Sequence, residues 1–205
     1  MCVILQATLQ YLEGSLGTRY GGSKVADKQQ EFTSRLKSFQ PTAWEQIPDL
    51  GLYMDQVITF IERQCKELFM DGDRIFTPSM VNNYVKIGLV ERPVAKKYGR
   101  EQLAQLLMIC ILKQSISAEN MKSLVQPPQD VSMQDHYESF CYTEQAVFAS
   151  LADLQPQPLM VCAVQGAAYQ LLSNTLLCAD KSKEKKQSPA QKETKPDAEK
   201  PQKKK

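Results

Sequence analysis

A chain of 205 residues with 42% hydrophobic and 23% charged residues suits one domain of ordinary size with appendages. Collagen-like, wholly disordered and disulfide-scaffold classes are thereby excluded. Six cysteines (Cys2, Cys65, Cys110, Cys141, Cys162 and Cys178) lie far apart with no CxxC pair, so scattered thiols in a reducing cytosol fit better than a zinc cluster.

The net charge of +2 conceals an uneven distribution. Residues 74–113 carry seven basic residues against Glu91 and Glu101, while 25–73 and 114–180 together carry six against sixteen acids. A basic segment inside an acidic body is a candidate polyanion site; the alternative is an uneven but ordinary solvated surface.

The first 24 residues are a poor secretory signal, because no positive charge precedes Cys2-Val3-Ile4-Leu5 and Arg19 comes late. Gly21-Gly22 can be encoded as a ribosome-binding sequence with Val25 as a GTG start. Residues 1–24 are thus expected to be either a start-site artefact or a flexible, glycine-containing extension. From Gln29 the pattern turns helical, with Phe32, Leu36 and Phe39 on one face and Pro41 ending the run. Trp44, Ile47, Leu50 and Leu52 follow around Pro48 and Gly51. The next helix is expected over 53–69, with Val57, Ile58, Ile61, Cys65 and Leu68 at helical spacing, and Asp71-Gly72-Asp73 as a turn.

Thr77-Pro78 opens a helix with a hydroxyl cap and proline at the first helical position, and Gly88 is placed to stop it. Residues 90–99, VERPVAKKYG, form a short basic stretch suited to a small hairpin or wing. A helix over 100–114 is apolar nearly all round in its second half and should be central. Ser117 with Asn120 opens a short helix to about Val125, stopped by Pro127-Pro128. An amphipathic helix over 132–154 should bury Tyr137, Phe140, Cys141, Val147, Phe148 and Leu151; Pro156 and Pro158 mark a break.

Residues 154–179 carry no charge. Gln165, Gln170, Ser173, Asn174 and Thr175 are costly in lipid and argue against a membrane span. Met160, Val164, Ala167, Leu171 and Thr175 or Leu176 form a seam near heptad spacing, so a buried or dimer-forming helix is expected. The tail 181–205, with ten lysines and four acids, is expected to be disordered.

The functional signal lies in 74–125. On a helix over 78–88, Ser79, Asn82, Asn83 and Lys86 fall in one polar arc, and Met80, Val81, Tyr84 and Val85 fill the opposite one. Asparagine can pair bidentately with adenine, and lysine and serine suit phosphates; the same pattern also fits an ordinary amphipathic surface helix. Arg92, Lys96, Lys97 and Arg100 follow in the basic stretch.

Polar-faced helix, Gly88-Leu89-Val90 exit, basic turn, Tyr98, the helix through Leu103 and Ile109, then Ser117-Ala118-Glu119-Asn120-Met121: this order resembles the winged helix–turn–helix head of MerR-type regulators. It departs from that pattern in a wing several residues short, in asparagine around Asn82 where arginine is usual, and in the longer DGDRIF lead-in. LYMDQV (52–57), MVNNYVK (80–86), KKY (96–98) and ILK (111–113) resemble the bacterial family known as domain of unknown function 1836 over roughly 30–175. That resemblance implies a fold and a bacterial, cytoplasmic setting, and no substrate.

Other sites find no support. His136 is the single histidine and lies five residues from Cys141 with no base-orienting group nearby. The acids around Asp71 and Asp73 lack the closing glutamate of an EF-hand, and no GxxxxGK[ST] or GxGxxG occurs.

The sequence therefore leads to an all-α protein: a helical domain over 25–180 with a MerR-like winged helix–turn–helix at about 53–125, C-terminal helices over 132–180, and a basic tail. The expected function is sequence-specific binding of double-stranded DNA as a bacterial transcriptional regulator, through Ser79, Asn82, Asn83, Lys86, Arg92, Lys96, Lys97 and Arg100. A homodimer is expected because one short helix reads little sequence alone. No enzymatic activity, cofactor, metal or membrane is expected, and the setting is the cytoplasm, at the nucleoid when bound. The alternative is a helical protein-interaction module that does not touch DNA.

Overall fold

A computed structural model describes residues 23–69, 74–153 and 159–187. The expectations for 1–22, for the Asp71-Gly72-Asp73 turn and for the tail beyond Gln187 fall outside these residues. The elements are α1 (Ser23–Ser38), α2 (Met54–Cys65), α3 (Pro78–Lys86), α4 (Arg100–Leu112), α5 (Lys122–Val125), α6 (Met133–Ala152) and α7 (Leu159–Gln187). Short 3-10 turns lie at Trp44–Gln46 and Lys66–Leu68. The fold is all-α: among the described residues the β-type pairing consists of two isolated bridges, Leu52 with Tyr98 and Val94 with Lys97.

The all-round apolar pattern of α4 is explained by its position. Leu103 through Cys110 are buried without a break, because α2, α5 and α6 each pack against this helix. Burying each large apolar side chain of this kind contributes about 1.5–3 kcal/mol, so α4 anchors the fold. Even Gln105 is buried, and its amide donates to Gln126 Oε1 at 3.4 Å. Gln126 in turn donates to the Leu89 carbonyl at 2.9 Å, tying the exit of α3 to the end of α5. The helix α1 packs along α6, with the Phe39 and Phe148 rings 5.8 Å apart, and Tyr137 donates from its buried hydroxyl to the Thr42 carbonyl at 2.8 Å.

Several boundaries and faces differ from expectation. Helix α1 already runs from Ser23, ahead of Gln29. Helix α7 continues to Gln187, into the lysine-rich stretch, where Lys and Glu are good helix formers. Val147 and Leu151 are not core: they are 56% and 41% exposed. The inward stripe of α6 follows buried Tyr137 and Glu144 with half-buried Phe140, Cys141 and Phe148; Val147 lies about 80° to one side of it, and Leu151 belongs to the last turn. The uncharged part of α7, up to residue 179, does not enter the core as a whole. Of its described side chains only Leu177 is buried, while Leu159, Met160, Val164, Tyr169, Leu171, Leu172 and Leu176 are exposed. No helix among the described residues is long and apolar enough to cross a membrane.

Candidate nucleic-acid interface

Both ends of α3 are fixed by local chemistry. Thr77 Oγ1 accepts from the Met80 amide at 3.2 Å, and Pro78 occupies the first turn, where no amide partner is needed. At the other end Gly88 adopts φ +70°. Its amide bonds to the Val85 carbonyl at 3.2 Å, and that of Leu89 bonds to the Tyr84 carbonyl at 2.9 Å. This pairing is a Schellman motif, with glycine at the left-handed position and an apolar residue just beyond. Leu89 and Val90 then enter the core.

Between these stops the helix divides as its spacing requires. Val81 and Tyr84 are buried and Met80 and Val85 half-buried, whereas Ser79, Asn82, Asn83 and Lys86 are exposed. The Tyr84 ring meets Phe76 edge-on with centroids 6.0 Å apart. The side chains of Ser79, Asn82, Asn83 and Lys86 make no hydrogen bond or ion pair among the described residues. The apolar arc holds the helix against the body, and the polar arc offers a hydroxyl, two amides and an ammonium to solvent.

The basic stretch folds back in the tightest way a chain allows. Val94 and Lys97 exchange both backbone hydrogen bonds, at 3.1 and 2.9 Å, across Ala95 and Lys96. These two residues take φ of 49° and 64°, the paired left-handed geometry of a two-residue I′ hairpin turn. Neither is glycine, so the turn stores about 1 kcal/mol per residue. Strain of this kind is maintained only where surrounding contacts enforce it, and three do so. Tyr98 and Leu52 exchange backbone hydrogen bonds, both 2.9 Å, joining the hairpin to the lead-in of α2. Gln102 accepts from the Gly99 amide at 2.5 Å and donates to the Arg92 carbonyl at 3.2 Å, clamping the two ends of the hairpin onto the start of α4. Lys97 Nζ sits 5.2 Å from the centre of the Tyr53 ring.

The candidate site residues thus separate. Ser79, Asn82, Asn83 and Lys86 share one face of α3, and Arg92, Lys96 and Lys97 are exposed on and beside the hairpin that follows. Lys86 and Arg92 are six residues apart, within roughly 20 Å of each other by chain reach alone. Arg100 is different. It donates from Nε to the Ile47 carbonyl at 2.9 Å, stacks over Trp44, and lies 3.9 Å from Asp49, so it fastens the hairpin base to the segment before α2. Lys113, at the end of the basic segment, donates to the Ile75 carbonyl and lies over the Phe69 and Phe76 rings.

Three contributors were not singled out by the sequence: Tyr53, Gln102 and Gly51. A Cβ at Gly51 would lie 2.8 Å from Lys97 Cβ, so the approach of hairpin to lead-in requires glycine. An isolated glycine beside a short apolar run was the available signal. For Gln102 the signal was a glutamine at the third position of α4, able to accept from the Gly99 amide, while its second partner, Arg92, lies across the hairpin.

A family model described as Domain of unknown function (DUF1836) matches residues 42–144. The chain belongs to that family. The DUF1836 match takes in α2 to α5, the hairpin and the first part of α6, and therefore every residue of the interface just described. No curated protein matches the chain, and no solved structure does.

Proposed function

We propose that this DUF1836 protein binds double-stranded DNA sequence-specifically as a bacterial transcriptional regulator, with α2, α3 and the hairpin acting as a MerR-like winged helix–turn–helix. One observation carries the reading: an unpartnered row of Ser79, Asn82, Asn83 and Lys86 on a helix capped at both ends and backed by buried Val81 and Tyr84. A rigid helix with free amides outward can pair them with base edges in the major groove. Lys86, Arg92, Lys96 and Lys97 would meet phosphates, and Arg100 would keep the wing in position for them. Acting as a homodimer doubles the sequence read, since one nine-residue helix contacts only a few base pairs. The reading asks for no catalysis, cofactor or metal, and places the protein in the cytoplasm at the nucleoid.

The test starts from a site selected out of random duplex DNA. On that site Asn82→Ala or Asn83→Ala should each cost about 1–3 kcal/mol and relax preference at one or two positions. Lys86→Ala, Lys96→Ala or Lys97→Ala should weaken all sequences alike and lower the salt slope by about one unit each. Binding titrations at two salt concentrations, with circular dichroism as folding control, separate the two classes. Folded asparagine variants that bind as tightly as the parent would show that α3 is not the reader, and a helical protein-interaction module would become the better description.

A further inference from the structure

A groove of about 620 Å³ lies between α2 and the chain segment at Thr42 and Gln46. Its α2 wall is built in three levels, one helical turn apart: Asp55 with Gln56, Thr59 with Phe60, and Arg63 with Gln64. The first level carries an acid, the middle one a half-buried aromatic ring and the last a cation. Asp55 and Arg63 are exposed, and neither side chain makes an ion pair or hydrogen bond among the described residues. Acid and base stabilise a helix when they stand four residues apart. Here they stand about 12 Å apart along the axis, so the helix does not neutralise them internally. The three glutamines of the groove are held in one orientation. Gln46 Oε1 accepts from the Ala43 amide at 3.3 Å, Gln56 Oε1 from the Tyr53 amide at 3.0 Å, and Gln64 Oε1 from the Thr42 hydroxyl at 3.0 Å. Each carbonyl is thereby engaged, and the carboxamide nitrogens, which bond to nothing among the described residues, remain as donors.

We propose that this groove binds a small zwitterion whose ammonium and carboxylate stand at opposite ends of a flat apolar body. The Arg63 guanidinium and the Gln64 amide receive the carboxylate, Asp55 receives the ammonium, and the body lies against Phe60 and Leu52. An apolar floor with a few convergent polar groups is the general form of a small-molecule site. The charges of the ligand follow from the two ends of the groove. A plain anion would meet the Asp55 carboxylate, and a plain cation would meet the Arg63 guanidinium and the glutamine N–H donors. Only a ligand with both charges satisfies both ends. Their separation follows from the three levels. An α-amino acid carries both charges on one carbon and cannot reach from the first level to the last. The long Arg63 side chain leans toward the start of the helix, which shortens the gap to about the length of a ring substituted at its two ends. The proposal goes beyond the DNA-binding reading and stands without it, since none of these residues belongs to α3 or to the hairpin.

The experiment is isothermal titration calorimetry of the full chain, without DNA, using 4-(aminomethyl)benzoate as the probe and benzylamine, benzoate and phenylalanine as comparisons. The probe should bind once per chain and at least about tenfold more tightly than either singly charged analogue, the factor that one charge-assisted hydrogen bond supplies. Phenylalanine, with the same ring and both charges on one carbon, should also bind at least about tenfold more weakly than the probe. Arg63→Gln should abolish the preference for the probe over benzylamine and keep that over benzoate. Asp55→Asn should do the reverse. Both positions are exposed, so circular dichroism of the variants should match the parent, and a preference lost at one end alone cannot come from misfolding. No saturable binding of the probe up to millimolar concentrations, phenylalanine bound as tightly as the probe, or variants that keep both preferences would each overturn the proposal; α2 would then carry an ordinary solvated face. None of these outcomes changes the DNA titration of the Asn82 and Asn83 variants, so the two readings fail separately.

Discussion

Replacing Glu144 by glutamine should remove most of the pH dependence of this protein's stability. Glu144 lies on the buried stripe of α6 with 8% of its surface exposed, and its Oε1 has no hydrogen-bond partner. Around it lie Phe39, Pro41 and Thr42 from the α1 side, Gln64 and Cys65 from α2, Leu107 and Ile111 from α4, and Tyr137 and Phe140 from α6. None of these is a cation, so burial is uncompensated and pushes the carboxyl up from 4.5 to about 7. The neighbouring titratable groups do not interfere, because burial also raises Tyr137 and lifts Cys141 to about 11, while the contact with Cys110, before burial, raises Cys65. The folded state therefore prefers the protonated acid. The stabilisation is complete below the unfolded value near 4.5 and is lost as pH rises through about 7. A shift of this size corresponds to about 3 kcal/mol, most of it falling between pH 5 and pH 8. Urea unfolding followed by circular dichroism at those two pH values should show the parent losing about 2–3 kcal/mol on going to pH 8. Glu144→Gln should lose far less and be the more stable protein at pH 8. An unchanged slope in the glutamine variant would refute the argument and locate the titration elsewhere.

Two further predictions concern the geometry that presents the candidate interface. Gly88→Ala should cost about 1 kcal/mol in urea unfolding, because a Cβ there meets nothing within 4 Å and the whole penalty arises from φ +70°. Ala95→Gly should instead stabilise the fold by up to about 1 kcal/mol by relieving the left-handed turn; a destabilised variant in the same assay would mean that the hairpin turn is not left-handed at this position.

Much of the architecture around the candidate site was legible in local pattern. Thr77-Pro78 and Gly88 bound α3 because capping chemistry is decided within a few residues. The division of that helix into Ser79, Asn82, Asn83 and Lys86 against Val81 and Tyr84 follows from a 3.6-residue period alone. Apolar residues all round 103–110 can only mean a helix enclosed by others. What the pattern could not decide depended on partners distant in the chain. Arg100 and Lys113 count as basic residues in the sequence, but Arg100 is held by the Ile47 carbonyl and Lys113 by that of Ile75, 53 and 38 residues away. The same holds for Glu144, which reads as a polar interruption in an amphipathic helix until Phe39, Leu107 and Ile111 close over it. The helix α7 shows the division most sharply. Its long uncharged stretch suggested burial, but only its packing through Leu177 decided that most of that stretch is exposed in the single chain, since which side of a helix faces inward is fixed by what it packs against.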